Sequence, residues 1–284
     1  MCTAPDSPAP SAVSTEWLLR RGGRPLFLFA HQDDETVLAG LIRRVLGDDE
    51  RGTFVWWTNG DGLAPAAAMA PDQYARMRIA EAAEALRRLG GSSRRKIDLE
   101  SSEIDNYRRL THVARGGAER SDALDYFTRE ADRVQAEVRA VRRLRRETGR
   151  PIPIVQCPAY EYVIACALRF KPWFRGDRRT ILLSPAELAH KRRVIEAYSS
   201  QAMLIASFRR VIRAFGVAAA LGGKRLTEDD YLAREQLGVV DPELDYSRST
   251  HGLELFNYML DDFEGIPIRF STMVRPVVQH LLRP

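Results

Sequence analysis

The sequence predicts an α/β fold: a Rossmann-like, mostly parallel sheet flanked by helices, with a C-terminal extension. Three observations carry that expectation. Leu26–Phe29 is an unbroken apolar run bounded by a proline, the pattern of a strand buried on both faces. A short polar turn follows, and then Val37, Leu38, Leu41, Ile42, Val45 and Leu46 recur at helical spacing. The alternation repeats, because the apolar run 53–58 precedes a helical stretch over about 71–89, and strand-like and helical segments continue to residue 157.

Taken in order, residues 1–20 are rich in Pro, Ser and Ala and read as a flexible arm. They lack the basic and apolar regions of a secretory signal. Residues 53–58 end in Asn59-Gly-Asp-Gly62, a turn sequence at a strand's carboxyl end, where open α/β sheets bind ligands. The helix over 71–89 has proline in its first turn and Gly90-Gly91 after it. Lys96-Ile-Asp-Leu reads as a short strand, 103–108 as a loop, and His112 as a structural histidine. Residues 121–148 form a long helix whose apolar stripe runs through Val134, Val138, Val141 and Leu144. Its arginines read as a solvated face interleaved with acids rather than a nucleic-acid patch. Residues 151–157 make the next buried strand. The core domain is expected to span 21–215 and the extension 216–284.

Composition narrows the function classes. The 284 residues are 45% hydrophobic and 29% charged, as in an ordinary globular protein. No apolar run reaches the length of a membrane span. Three cysteines without a paired pattern fit a reducing cytoplasm. The net charge is +5, and only four of the 43 basic residues are lysines, so an arginine-contacted anionic substrate is open. The expected partner is a small-molecule substrate, with no nucleic acid and no membrane, and a homo-oligomer remains open.

The polar turn after the first strand holds His31, Asp33, Asp34 and Glu35. A neutral imidazole and a carboxylate near it suit a borderline-soft cation such as zinc. A second carboxylate that is not a ligand can take a proton from water acidified by the metal. Helix capping requires only one aspartate and explains neither the second nor the histidine.

Ala30-His-Gln-Asp-Asp-Glu35 resembles the signature of the PIG-L/LmbE-like de-N-acetylases, in which proline usually occupies the position of Gln32. The resemblance extends over roughly residues 24–210, through Asn59-Gly-Asp61, Arg78 with Glu81, and a closing Tyr198-Ser-Ser-Gln201 after Lys191. It implies a Rossmann-like zinc hydrolase that removes an acyl group from an amino sugar or a secondary-metabolite intermediate. His31 and Asp34 would be the metal ligands and Asp33 the general base. Asp61, Arg78, Tyr160 and Glu161 would contact substrate.

One departure matters. The family's second histidine motif should follow the strand at 151–157, but the chain reads Pro158-Ala-Tyr-Glu-Tyr-Val-Ile-Ala-Cys-Ala167. Ile164 and Ala167 stand where the family has histidines, and neither can ligate a metal. Cys166 and Glu161 are candidate third ligands, though Cys166 reads more simply as a small buried hydrophobe. In the extension, His251 and Glu254 fall at i,i+3, a spacing that can bind metal, and could donate a replacement. The alternative function is a descendant of the fold that has lost zinc and runs acid/base chemistry in natural-product biosynthesis. A binding scaffold is the third reading, and Asp33→Asn would leave its binding intact with no turnover to lose.

Overall fold

The computed structural model describes residues 25–47, 52–90, 95–148, 154–158, 178–221, 223, 227–240, 262–267 and 269–281. Strands β1 (Leu26–Phe29), β2 (Thr53–Thr58) and β3 (Arg95–Ser101) form a parallel sheet in the order β1-β2-β3. Phe29 lies opposite Trp56, and Trp56 opposite Asp98. A 3₁₀ segment, Asp34–Leu38, leads from β1 into α1 (Ala39–Leu46); α2 (Pro71–Arg88) joins β2 to β3. Helices α3 (Glu103–Arg115) and α4 (Glu119–Thr148) follow. The architecture is therefore α/β, with a parallel sheet flanked by helices.

A second sheet is antiparallel. It contains β4 (Ile154–Gln156), β5 (Arg178–Leu182) and β6 (Arg234–Val240) in the order β4-β6-β5. Between β5 and β6 come α5 (Pro185–Ile195), α6 (Ala202–Leu221) and the short α7 (Glu228–Leu232). One core joins the sheets: Phe29, Phe54 and Trp56 share a buried cluster with Leu183, Val194, Tyr198 and Leu237.

Residues of the expected extension belong to this body. The expected boundary at 215 falls inside α6, and β6 is the middle strand of its sheet. Farther on, strands β7 (Asp262–Phe263) and β8 (Ile266–Pro267) pair, and Phe263 stacks on Tyr107 of α3 at 5.6 Å. Helix α8 (Arg275–Leu281) places Val277 in a small core with Val113, Ala123 and Phe127.

Three local expectations need correction. Strand β1 is buried on one face only, since Leu26 is 38% and Leu28 44% exposed. Among the described residues it lies at the edge of its sheet, and the twofold alternation of a strand turns only Phe27 and Phe29 toward the core. Residues 103–108 are helical rather than a loop, because the Ser102 hydroxyl accepts from the Asp105 amide and starts α3. His190 is buried, because α5 packs toward α1 and α2. Residue 215 does not end a domain helix, since α6 runs to Leu221.

Candidate functional site

The site is built at the carboxyl end of β1. Asp33 adopts φ 114 and ψ −20, a left-handed conformation costly for a residue with a Cβ. That kink sends the two adjacent aspartates to different places. Asp34 turns back on the strand end, where one carboxylate oxygen accepts from the amides of Ala30 (3.1 Å) and His31 (2.9 Å). The same oxygen is 3.8 Å from His31 Nδ1. Asp33 points the other way, to Arg78 Nη2 at 3.1 Å. Neither aspartate side chain caps the 3₁₀ segment, so the capping role does not account for them.

Arg78, from α2, is 2% exposed. Its guanidinium lies over the Tyr198 ring at 5.0 Å and meets Glu81 (3.5 Å) and the Ser200 hydroxyl (3.3 Å). Glu81 in turn accepts from the Ser199 hydroxyl and from the Ser200 amide and hydroxyl. The Ser-Gln segment thus braces the arginine from behind. Gln201 completes the brace by donating to the Tyr74 hydroxyl at 3.0 Å.

Beneath the turn, Glu35 is fully buried and accepts from the Tyr198 hydroxyl and from Trp56 Nε1 (3.3 Å). Burial pushes its carboxyl up from 4.5 to about 7 against the tyrosine's hydrogen bond. Burial also lifts Asp33, from 3.8 to about 6, with Arg78 opposing and Asp34 adding to the rise. For His31 burial disfavours the charged ring. Glu103, through its charge and hydrogen bond, and then Asp34 and Asp33 outweigh it, raising His31 from 6.5 to about 9.

Glu103 is the acid at the start of α3, with Oε1 3.2 Å from His31 Nε2. Asp61 fixes that helix start: it is buried, and it accepts from the Ser102 hydroxyl (2.7 Å) and the Ile104 amide (3.1 Å). Gln32 is fully buried and donates to the Thr58 carbonyl at 2.8 Å, tying the turn to the end of β2. Its Oε1 and the Nε of Arg78 lie 2.5 and 3.2 Å from where a Cβ on Gly60 would be, so glycine alone fits there at φ 72.

The structure brings His31, Asp33, Asp34 and Arg78 together and sets Asp61 beside them as the anchor of α3. Tyr160 and Glu161 lie outside the described residues, as do Ile164, Cys166, Ala167, His251 and Glu254. Sequence reasoning missed Glu103 as a partner of His31, and also the Glu35–Tyr198 pair. The sequence signals for Glu103 were its place after the third strand, at a sheet's ligand-binding edge, and in a segment where resembling proteins often place substrate-contacting acids.

For a zinc ion the donor chemistry fits in part. His31 Nδ1 and Asp34 face one another, as two ligands of one cation would. Catalytic zinc normally takes three protein ligands, and among the described residues no group of three or more His, Cys, Asp or Glu could hold a metal. A third donor would come from outside them.

A strand, a kinked His/Asp/Asp turn and a helix at a sheet's carboxyl edge define an α/β protein with a polar site at the tip of its first strand. Residues 26–148 match the family model PIG-L: GlcNAc-PI de-N-acetylase. Comparison with curated proteins gives no match. Among solved structures, the chain is similar to a deacetylase in the biosynthesis pathway of teicoplanin (14% identity, 78% of this chain and 100% of that one, TM-score 0.44). It is similar to the A40926 pseudoaglycone deacetylase Dbv21 (15%, 78% and 99%, 0.44). A third similar structure is GalB, the 4-carboxy-2-hydroxymuconate hydratase from Pseudomonas putida KT2440 (16%, 80% and 100%, 0.44).

Proposed function

We propose that the protein is an N-deacetylase-like amidohydrolase that hydrolyses the amide of an N-acylated amino sugar or secondary-metabolite intermediate. The observation that carries this reading is the division of labour between adjacent carboxylates. Asp34 faces His31 and is held by two backbone amides, while Asp33 faces Arg78 and stays apart from that pair. The match of residues 26–148 to the PIG-L family model supports the amide as the bond cleaved.

In this reading His31 and Asp34 hold a divalent cation, zinc by preference, with a third donor from outside the described residues. The cation would polarise the acyl carbonyl and acidify water, which is what zinc contributes in hydrolases. Asp33 accepts the proton of the attacking water. With its carboxyl at about 6 it is mostly ionised at neutral pH yet basic enough to act. Arg78 holds that carboxylate in one orientation, and Tyr198 and the Ser199–Ser200 contacts keep Arg78 in place. Asp33 then returns the proton to the departing amine nitrogen, so that amide and water become carboxylic acid and amine.

The test is acetate release from a panel of N-acetylated amino sugars and glycosides, by wild type and by Asp33→Asn. The expected result is turnover of one substrate class, lost by about 10²–10⁴-fold in the variant, the usual contribution of a positioned base. Undiminished acetate release by Asp33→Asn would refute the assignment. Metal analysis of the same preparation tests the cation. Full activity with no bound metal would remove zinc from the reading and leave Asp33 as the base.

A further inference from the structure

We infer that Glu35 is a positioning residue for Asp33: from beneath the turn it holds the Asp33 amide, and through Tyr198 it is joined to the arginine that holds the Asp33 carboxylate. The inference rests on the reading of Asp33 as the base, is independent of the cation, and gives a role to the last acid of the turn.

The turn pivots on Asp33. At φ 114 and ψ −20 a residue with a Cβ is strained, and such a conformation persists only where its surroundings enforce it. Three contacts do so. The Asp33 carbonyl accepts from the Thr36 amide (2.9 Å) and hydroxyl (2.6 Å). The carboxylate meets Arg78 Nη2 at 3.1 Å. The amide donates to Glu35 Oε2 at 3.2 Å, a side chain from two residues ahead that reaches back under the turn. The first contact is local, of the kind many turns make. The other two come from buried side chains that the rest of the fold holds in place.

Those two side chains meet at Tyr198. Its hydroxyl donates to Glu35 Oε1, and its ring lies 5.0 Å from the Arg78 guanidinium. Asp33 amide, Glu35, Tyr198, Arg78 and Asp33 carboxylate therefore form a closed circuit around one residue. Trp56 Nε1, 3.3 Å from Glu35 Oε2, ties the circuit to β2. Trp56 and Tyr198 both belong to the buried core, so Glu35 sits in a rigid seat. Its hold on the amide does not require a charge. A proton on the carboxyl would sit on Oε1, facing the tyrosine oxygen, and leave Oε2 to accept. Without that acceptor the backbone is free to leave its strained angle, which would carry the Asp33 carboxylate off Arg78.

The experiment uses the full-length protein and two readouts. Hydrogen exchange at the Asp33 amide, followed by NMR with isotope-labelled aspartate, needs no substrate. The second readout is kcat and KM for acetate release from the best substrate of the panel. Wild type should show a slowly exchanging Asp33 amide. Glu35→Met, which keeps a long side chain but no acceptor, should lose that protection. Its kcat should fall about 10²-fold with KM little changed, the size of effect expected when a reacting group is misplaced by about 1 Å. Glu35→Gln should keep the protection and most of kcat, because its oxygen can serve Asp33 and Trp56 while its NH₂ donates to the tyrosine oxygen. Tyr198→Phe keeps the ring beneath Arg78 and removes only the hydroxyl, so it should weaken protection and kcat in the same direction as Glu35→Met.

A freely exchanging Asp33 amide in the wild type would overturn the inference without any variant. Unchanged protection and kcat in a folded Glu35→Met would do the same, as would unchanged values in Tyr198→Phe where Glu35→Met does not fold. Equal loss of kcat in Glu35→Met and Glu35→Gln, with the amide still protected in the latter, would show that charge and not position is at work, and would also overturn it. If Asp33→Asn releases acetate undiminished while Glu35→Met frees the amide, Asp33 fails as the base and Glu35 still sets its turn.

Discussion

Replacing Lys191 by methionine should destabilise the protein more than most single changes away from the candidate site. Lys191, on α5, has a side chain only 3% exposed, and its Nζ meets Glu235 Oε1 at 2.9 Å and the Val37 carbonyl at 2.7 Å. Glu235, on β6, is fully buried and also accepts from the amides of Gly40 (2.9 Å) and Leu41 (2.7 Å) at the start of α1. Methionine keeps the volume but leaves a carboxylate buried without its counter-charge. Breaking such a pair costs about 3–5 kcal/mol. The two amides still solvate Glu235, so the low end, about 3 kcal/mol, is expected. At about 2–4 °C per kcal/mol for a chain of this size, the melting temperature should fall by about 6–12 °C. Circular dichroism melts at pH 7 read the shift, and urea titration gives the free energy independently. The double variant Lys191→Met/Glu235→Gln should recover part of the loss, because the remaining group is neutral and can still accept from the amides. A melting temperature within about 2 °C of wild type for Lys191→Met would refute the reasoning, since a buried charge cannot lose its partner at so little cost.

Two further outcomes follow from the site. Arg78→Met removes the cation 3.1 Å from Asp33, so the Asp33 carboxyl should rise by about 1–3 pK units. The acidic limb of the pH–rate profile should move upward with it, and an unmoved limb would separate Asp33 from the rate. Glu35→Gln should change how metal-free stability depends on pH. The native carboxyl at about 7 lies above its ordinary 4.5, so the folded state holds the proton more tightly and loses stability as pH rises from about 4.5 through 7. The glutamine has no proton to lose. The variant's melting temperature should therefore fall less than wild type's between pH 5 and pH 8, and parallel curves would contradict the shift.

Some of this was written locally. The run Leu26–Phe29, the turn His31–Glu35 and the helical spacing beyond it could be read directly, because strand, turn and helix are set by short-range periodicity. The same reading overstated the burial of Leu26 and Leu28, since an apolar run does not say whether a strand lies at an edge. It took 103–108 for a loop although Ser102 stands in capping position, three residues before Asp105.

The sequence by itself determined that the chain alternates strands and helices, and which histidine and aspartates sit at the tip of the first strand. Only the tertiary structure decided that Asp34 turns toward His31 while Asp33 turns toward Arg78, because that choice rests on one backbone angle at Asp33. Tertiary structure alone also put Glu103 against the imidazole and drew Glu235 from the far end of the chain to the start of α1, across 195 residues. Contacts at such separation leave no periodic trace in a single sequence, since they depend on how elements pack and not on how neighbouring residues repeat.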